Sequence, residues 1–109
     1  MTIIIENLEQ YNKELEEQDK LIICFFTASW CGPCKRIYPF INKLSSHKKL
    51  QEFIKVLKVD VDDCSDISDH CEIKCMPTFK FYKNNEFKEE INGASEEKIS
   101  ELIKKYLSA

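Results

Sequence analysis

The chain has 109 residues, 43% of them hydrophobic and 32% charged, with a formal net charge of −3. A single globular domain over residues 1–109 is expected, with enough chain to build one core without covalent staples. The mixed charge argues against nucleic acid as a partner and gives little pull towards anionic membranes, and no stretch is apolar for long enough to span a bilayer.

Six cysteines in so small a domain would suggest three disulfides in a secreted chain. Met1-Thr2-Ile3-Ile4-Ile5-Glu6, however, has no basic n-region and too short an apolar run for a secretory signal. The expectation is therefore a cytoplasmic location and reduced thiols.

Thr2 to Ile5 is a β-branched run that predicts an opening strand. Asn7 followed by Gln10 resembles a capping box, after which Leu8, Tyr11 and Leu15 share one helical face. Glu14, Glu16, Glu17 and Asp19 read as the solvated side. Lys20 to Thr27 is apolar without alternation, as expected of a central strand covered on both faces. The next helix carries Ile37, Phe40, Ile41 and Leu44 at core spacing on both sides of Pro39, so the proline should kink the helix rather than end it.

Phe53 to Val61 predicts a second central strand, with Lys58, Asp60 and Asp62 on one face and Leu57, Val59 and Val61 on the other. Asp63 to His70 is a short helix with a weak start. Thr78 to Tyr82 and Glu86 to Ile91 form a hairpin through Lys83-Asn84-Asn85, where asparagine tolerates positive φ. Ser95 caps a last helix, with Glu96 and Glu97 in its first turn and Ile99, Leu102, Ile103 and Tyr106 as its apolar stripe. The order β-α-β-α-β-α-β-β-α is that of an α/β domain, a mixed sheet with helices on both faces.

The chemistry concentrates in Trp30-Cys31-Gly32-Pro33-Cys34-Lys35, where a strand gives way to a helix. Cysteines with two residues between them at that point read as a redox pair. Cys31 would face unpaired N–H groups and the positive end of the helix dipole, an exposed position that lowers a thiol's pKa. Cys34, one turn inside, is placed to close a small-ring disulfide. Gly32 leaves the backbone uncrowded, and Pro33 presets a helical φ where no N–H is needed. The Cys31 thiolate would attack a substrate disulfide, and Cys34 would then attack the Cys31 sulfur and release the reduced substrate. The alternative use of Cys31 and Cys34 is a zinc site completed by Cys71 and Cys75, whose spacing lies at the margin of structural-zinc patterns. No metal is expected.

The Trp30–Lys35 motif resembles the active site of the thioredoxins, themselves a reference case for this thiol chemistry. Lys74-Cys75-Met76-Pro77-Thr78-Phe79 resembles that family's cis-proline loop, and Val59-Asp60-Val61-Asp62-Asp63-Cys64 continues the likeness over nearly the whole chain. The resemblance implies a thioredoxin fold, a five-stranded mixed sheet in the order 1-3-2-4-5 flanked by four helices. It also implies a protein-disulfide reductase with no bound cofactor, fed with electrons from NADPH by thioredoxin reductase. Peroxiredoxin, ribonucleotide reductase and methionine sulfoxide reductases are the substrates it suggests. Trp30 becomes a flat apolar platform beside the nucleophile, with a core tryptophan as the alternative. Gly32, Pro33, Met76 and Pro77 complete the substrate groove. With no histidine between the cysteines, a reductant is favoured over an oxidase or isomerase.

One position departs from the family's pattern. The buried Asp usually found six residues before the nucleophile is here Phe25. Phenylalanine accepts no proton, so resolution by Cys34 is expected to be slow. Lys58 matches the lysine that pairs with that Asp. It is expected either to turn to Asp60 or to stay beneath the site as a base; the first is preferred because burying an unpaired ammonium is costly.

Cys64, Cys71 and Cys75 match extra cysteines of animal-type cytosolic thioredoxins and are candidate regulatory thiols. On one helix Cys64 and Cys71 would face the same side about 10 Å apart, too far to bridge without unwinding. They are read as idle thiols, with an oxidative switch as the alternative. Cys75 is expected to be exposed near the groove and able to link two otherwise monomeric chains. Cys24 is read as inert core, and His47 and His70 as solvated. Two further functional readings stay open: a specialised thioredoxin-like protein slowed by Phe25, and a redox-gated binding module.

Overall fold

A computed structural model describes residues 2–107. At its centre lies the strand Leu21–Thr27 (β2), every residue of which is buried. Around it, in chain order, are β1 (Thr2–Ile4), α1 (Leu8–Leu15), α2 (Gly32–Ser46), β3 (Ile54–Asp60), α3 (Ser65–His70), β4 (Thr78–Lys83), β5 (Glu86–Asn92) and α4 (Glu96–Leu107). The sheet order is β1-β3-β2-β4-β5, with β1, β3 and β2 parallel and β4 and β5 joined as an antiparallel hairpin. This is the expected thioredoxin fold.

Strand alternation divides the apolar run of β2 between two layers. Leu21, Ile23 and Phe25 pack with Ile37 and Ile41 of α2 and Ile99 and Ile103 of α4. Ile22, Cys24 and Phe26 pack with Tyr11 and Leu15 of α1 and Ile67 of α3. The absence of alternation in the sequence therefore reflects two cores, one on each side of the sheet.

Local signals act largely as expected. Asn7 Oδ1 accepts the Gln10 N–H at 2.8 Å, a cap typically worth about 1 kcal/mol. Gln10 Oε1 reaches past the N-cap to the Glu6 N–H at 2.7 Å. Ser95 Oγ accepts the Lys98 N–H at 3.2 Å. The hairpin tip holds Asn84 at φ 53° and Asn85 at φ 60°, the paired left-handed residues of a two-residue turn. Pro39 lies inside α2, which continues to Ser46.

Two expectations need correction. β3 ends at Asp60 rather than Val61, because Asp60 Oδ1 accepts the N–H groups of Asp62 at 2.8 Å and Asp63 at 3.1 Å and turns the chain. Glu14 and Glu17 are not simply solvated. Both carboxylates reach Lys55 on β3, Glu14 at 2.6 Å.

Candidate active site

Cys31 ends the segment after β2 and is the N-cap of α2; Cys34 lies in the first turn. They are joined by a disulfide with a Cα–Cα distance of 5.3 Å. The Cys34 N–H donates to Cys31 Sγ at 3.2 Å. The helix start therefore already aims a backbone donor at the sulfur that would carry negative charge once reduced. Gly32 and Pro33 cross the outer surface of this turn and are exposed.

The disulfide is less open than the sequence suggests. Cys31 is only 5% exposed and Cys34 1%, and both belong to the apolar cluster that includes Ala28 and Ile37. Trp30, by contrast, is 67% exposed. Its indole is not loose, since Nε1 donates to Asp62 Oδ2 at 2.9 Å. A large apolar face held this way at the disulfide suits a partner surface better than a core. The Met76–Pro77 peptide bond is cis, Pro77 is buried, and Met76 packs against the cluster that contains Cys31 and Cys34.

Phe25 lies beneath the site, fully buried. Its ring is stacked between Phe79 of β4, at 5.0 Å and 9°, and Tyr38 of α2, at 6.0 Å and 20°. Lys58, the residue opposite Phe25 in the β2–β3 register, continues the stack with Nζ 4.4 Å from the centre of the Tyr38 ring. Among the described residues it makes no ion pair with Asp60, whose carboxylate is engaged by the turn that follows. The preferred expectation for Lys58 is thus corrected: an aromatic face, not Asp60, receives its charge. A cleft of about 190 Å³ runs alongside, walled by Cys34, Thr27, Tyr38, Lys58 and Asp60 among others.

The remaining thiols lie apart from this centre. Cys24 is completely buried, and burial pushes its thiol up to about 12. Cys64 and Cys71 do not share a helix, since α3 covers only Ser65–His70 and the two residues flank it. Cys64 is buried, its thiol donates to the Ile5 carbonyl at 3.4 Å, and burial raises its pKa. Cys71 is half-buried, with Sγ 3.6 Å from the hydroxyl of Tyr11, a group that burial also pushes far up. Cys75 is exposed and donates to Asn92 Oδ1 at 3.4 Å. Cys71 lies across the sheet from Cys31 and Cys34, in the other apolar layer, so the four thiols of the zinc alternative do not converge. His47 is exposed, as expected, and its Nδ1 accepts the Lys49 N–H at 3.2 Å.

Sequence reasoning missed Tyr38 and Phe79 as parts of the site. Tyr38 is one turn beyond Cys34, a visible signal; the pairing of Phe79 with Phe25 required the β2–β4 register.

The family model described as Thioredoxin matches residues 2–105. A thioredoxin from Ophiophagus hannah is 46% identical over 98% of this chain and 100% of its own length. One from Ictalurus punctatus is 47% identical over 94% of this chain and 96% of its own. A crystal structure of thioredoxin from Trypanosoma brucei brucei superposes with a TM-score of 0.90 at 26% identity, covering 100% of this chain and 93% of that one. With a cysteine pair bridged at the head of α2 in this fold, the chain belongs to the thioredoxin family and is a protein thiol-disulfide oxidoreductase.

Proposed function

We propose that Cys31 is the nucleophile and Cys34 the resolving thiol of a protein-disulfide reductase. Cys31 attacks a substrate disulfide and forms a mixed disulfide; Cys34 displaces it, leaving the substrate reduced and the 31–34 bridge closed. The observation that carries this reading is the bridged pair at the α2 N-terminus, with the Cys34 N–H directed at Cys31 Sγ. Trp30, Gly32, Pro33, Met76 and Pro77 form the surface that receives an extended substrate segment. Electrons come from NADPH through thioredoxin reductase, and peroxiredoxin and ribonucleotide reductase are substrate types. The protein works in the cytoplasm as a monomer, with Cys75 available for linking two copies and with Cys64 and Cys71 as candidate regulatory thiols.

A second reading has its own support. Phe25 adds a stacked ring to the apolar cluster that holds Cys34, at the position where a proton acceptor is expected. That favours a specialised member, accepted by reductase yet slow on general disulfides. Coupled turnover of an insulin-type disulfide with NADPH and thioredoxin reductase separates the two, brisk turnover supporting the general reductant. Cys34→Ser should accumulate a mixed disulfide at residue 31 and Cys31→Ser should not; failure of both variants to differ refutes the assignment of roles.

A further inference from the structure

Cys34 is 1% exposed. To displace a substrate from Cys31 it must first lose its proton, and desolvation disfavours the charged sulfur. The apolar cluster that holds Cys34 also holds the stacked rings of Phe25, Tyr38 and Phe79. What remains open beside Cys34 is the cleft of about 190 Å³, large enough for several waters, since one needs roughly 10–15 Å³. Its charged wall groups are Lys35 from α2 and Lys58 and Asp60 from β3. Lys35 and Lys58 are cations, and the Nζ of Lys58 is held on the Tyr38 face, so neither offers a lone pair. Asp60 supplies the only carboxylate among the described residues of the wall.

From this arrangement we infer that Asp60 takes the Cys34 proton through water in the cleft, with Lys58 beside it stabilising the thiolate left behind. The inference rests on the assignment of Cys31 and Cys34 made above. The proton passes from Cys34 Sγ to water and on to an Asp60 oxygen. The sulfur's electron pair forms the bond to Cys31 Sγ as the Cys31–substrate bond breaks. The substrate sulfur departs with the electrons of that broken bond and is protonated by solvent. The protein dithiol is oxidised, the substrate disulfide is reduced, and no other reductant is needed. One Asp60 oxygen, Oδ1, is already occupied by the N–H groups of Asp62 and Asp63, which fixes the carboxylate's position. Asp60 thus acts through solvent, as a positioning residue and proton acceptor rather than by touching the sulfur.

The test uses Asp60→Asn, because the amide oxygen can keep both turn hydrogen bonds while the basicity is lost. Reduced protein is mixed with a fluorogenic peptide disulfide, and attack by Cys31 is timed separately from release by Cys34, from pH 5 to 9. The groups titrating around the cleft are Lys35, Tyr38, Lys58, Asp60 and the neighbouring Asp62 and Asp63. Expected are attack within about twofold of wild type and release slowed about a hundredfold, the low end of general-base effects. Release in the variant should rise in proportion to hydroxide, and adding Phe25→Asp to Asp60→Asn should restore it. Unchanged release with an unchanged pH profile overturns the inference. So does an equal fall in both steps with a lowered melting temperature, which marks Asp60 as structural only. If wild type itself shows no attack at Cys31, the assignment of the cysteine roles has failed instead.

Discussion

Replacing Phe25 with Asp sets a loss of packing against a gain of proton acceptance. The ring is fully buried and contacts Phe79 and Tyr38 face to face. Truncating such a phenylalanine costs about 3–5 kcal/mol, against a total stability of about 5–15 kcal/mol. At about 4 °C per kcal/mol, the variant should melt roughly 12–20 °C lower yet remain folded. Lys58, opposite in the strand register, can leave the Tyr38 ring to pair with the new carboxylate, which limits the added cost of burying charge. Release of substrate by Cys34 should accelerate about tenfold or more, since Asp60 acts only through solvent and a carboxylate under the sulfur is a shorter route. Phe25→Asn supplies the control, with the same cavity and no base. The assay is stopped-flow release of a fluorogenic substrate from Cys31 alongside thermal melting. If Asp and Asn variants release substrate at the same rate, the missing carboxylate is not what limits this protein.

The other thiols should alkylate in an order set by burial when the 31–34 pair is kept oxidised: Cys75 first, Cys71 next, Cys24 and Cys64 only on unfolding. Timed labelling with mass spectrometry reads the order, and early labelling of Cys24 contradicts it. In the hairpin, Asn85→Gly should raise stability modestly by relieving a left-handed residue, seen as a higher melting temperature. Asn84→Gly should gain less, because Asn84 Oδ1 holds the Asp19 N–H at 3.0 Å. Lys55 holds Glu17 below the usual carboxylate range, and, against the desolvation that would lower it, Glu14 and Glu17 together raise Lys55 above the usual lysine range. The Glu17 contribution is fully present above its unfolded value near pH 4.3 and fades as pH falls through the lowered folded value. The Lys55 contribution is present below about pH 10.4 and fades as pH rises through the raised value. Lys55→Met should flatten both limbs of a melting-temperature-against-pH curve.

Much of the fold was legible because its signals are local. The Asn7 and Ser95 caps, the Asn84-Asn85 turn and the Cys31–Cys34 pair act over three or four residues, a range in which sequence spacing becomes geometry directly. The unbroken apolar run of β2 likewise announced a strand with helices on both faces. The strand order 1-3-2-4-5 is different in kind: family resemblance implies it and periodicity does not.

What tertiary structure alone decided is how residues distant in sequence share a space. That alternate strand residues lie on one face makes Asp60 the preferred partner for Lys58, a rule blind to Tyr38 arriving from α2. Cys64 and Cys71 flank the short helix α3, and their partners, the Ile5 carbonyl and the Tyr11 hydroxyl, lie far from them in sequence. The sequence by itself determined where the reactive sulfurs are and which way the chain turns around them. The ring stack in their apolar cluster, the cleft beside Cys34 and the burial of Cys31 arise only when β2, β3, β4 and α2 close together, because solvation and ring contact depend on neighbours that strand register and layer packing bring in.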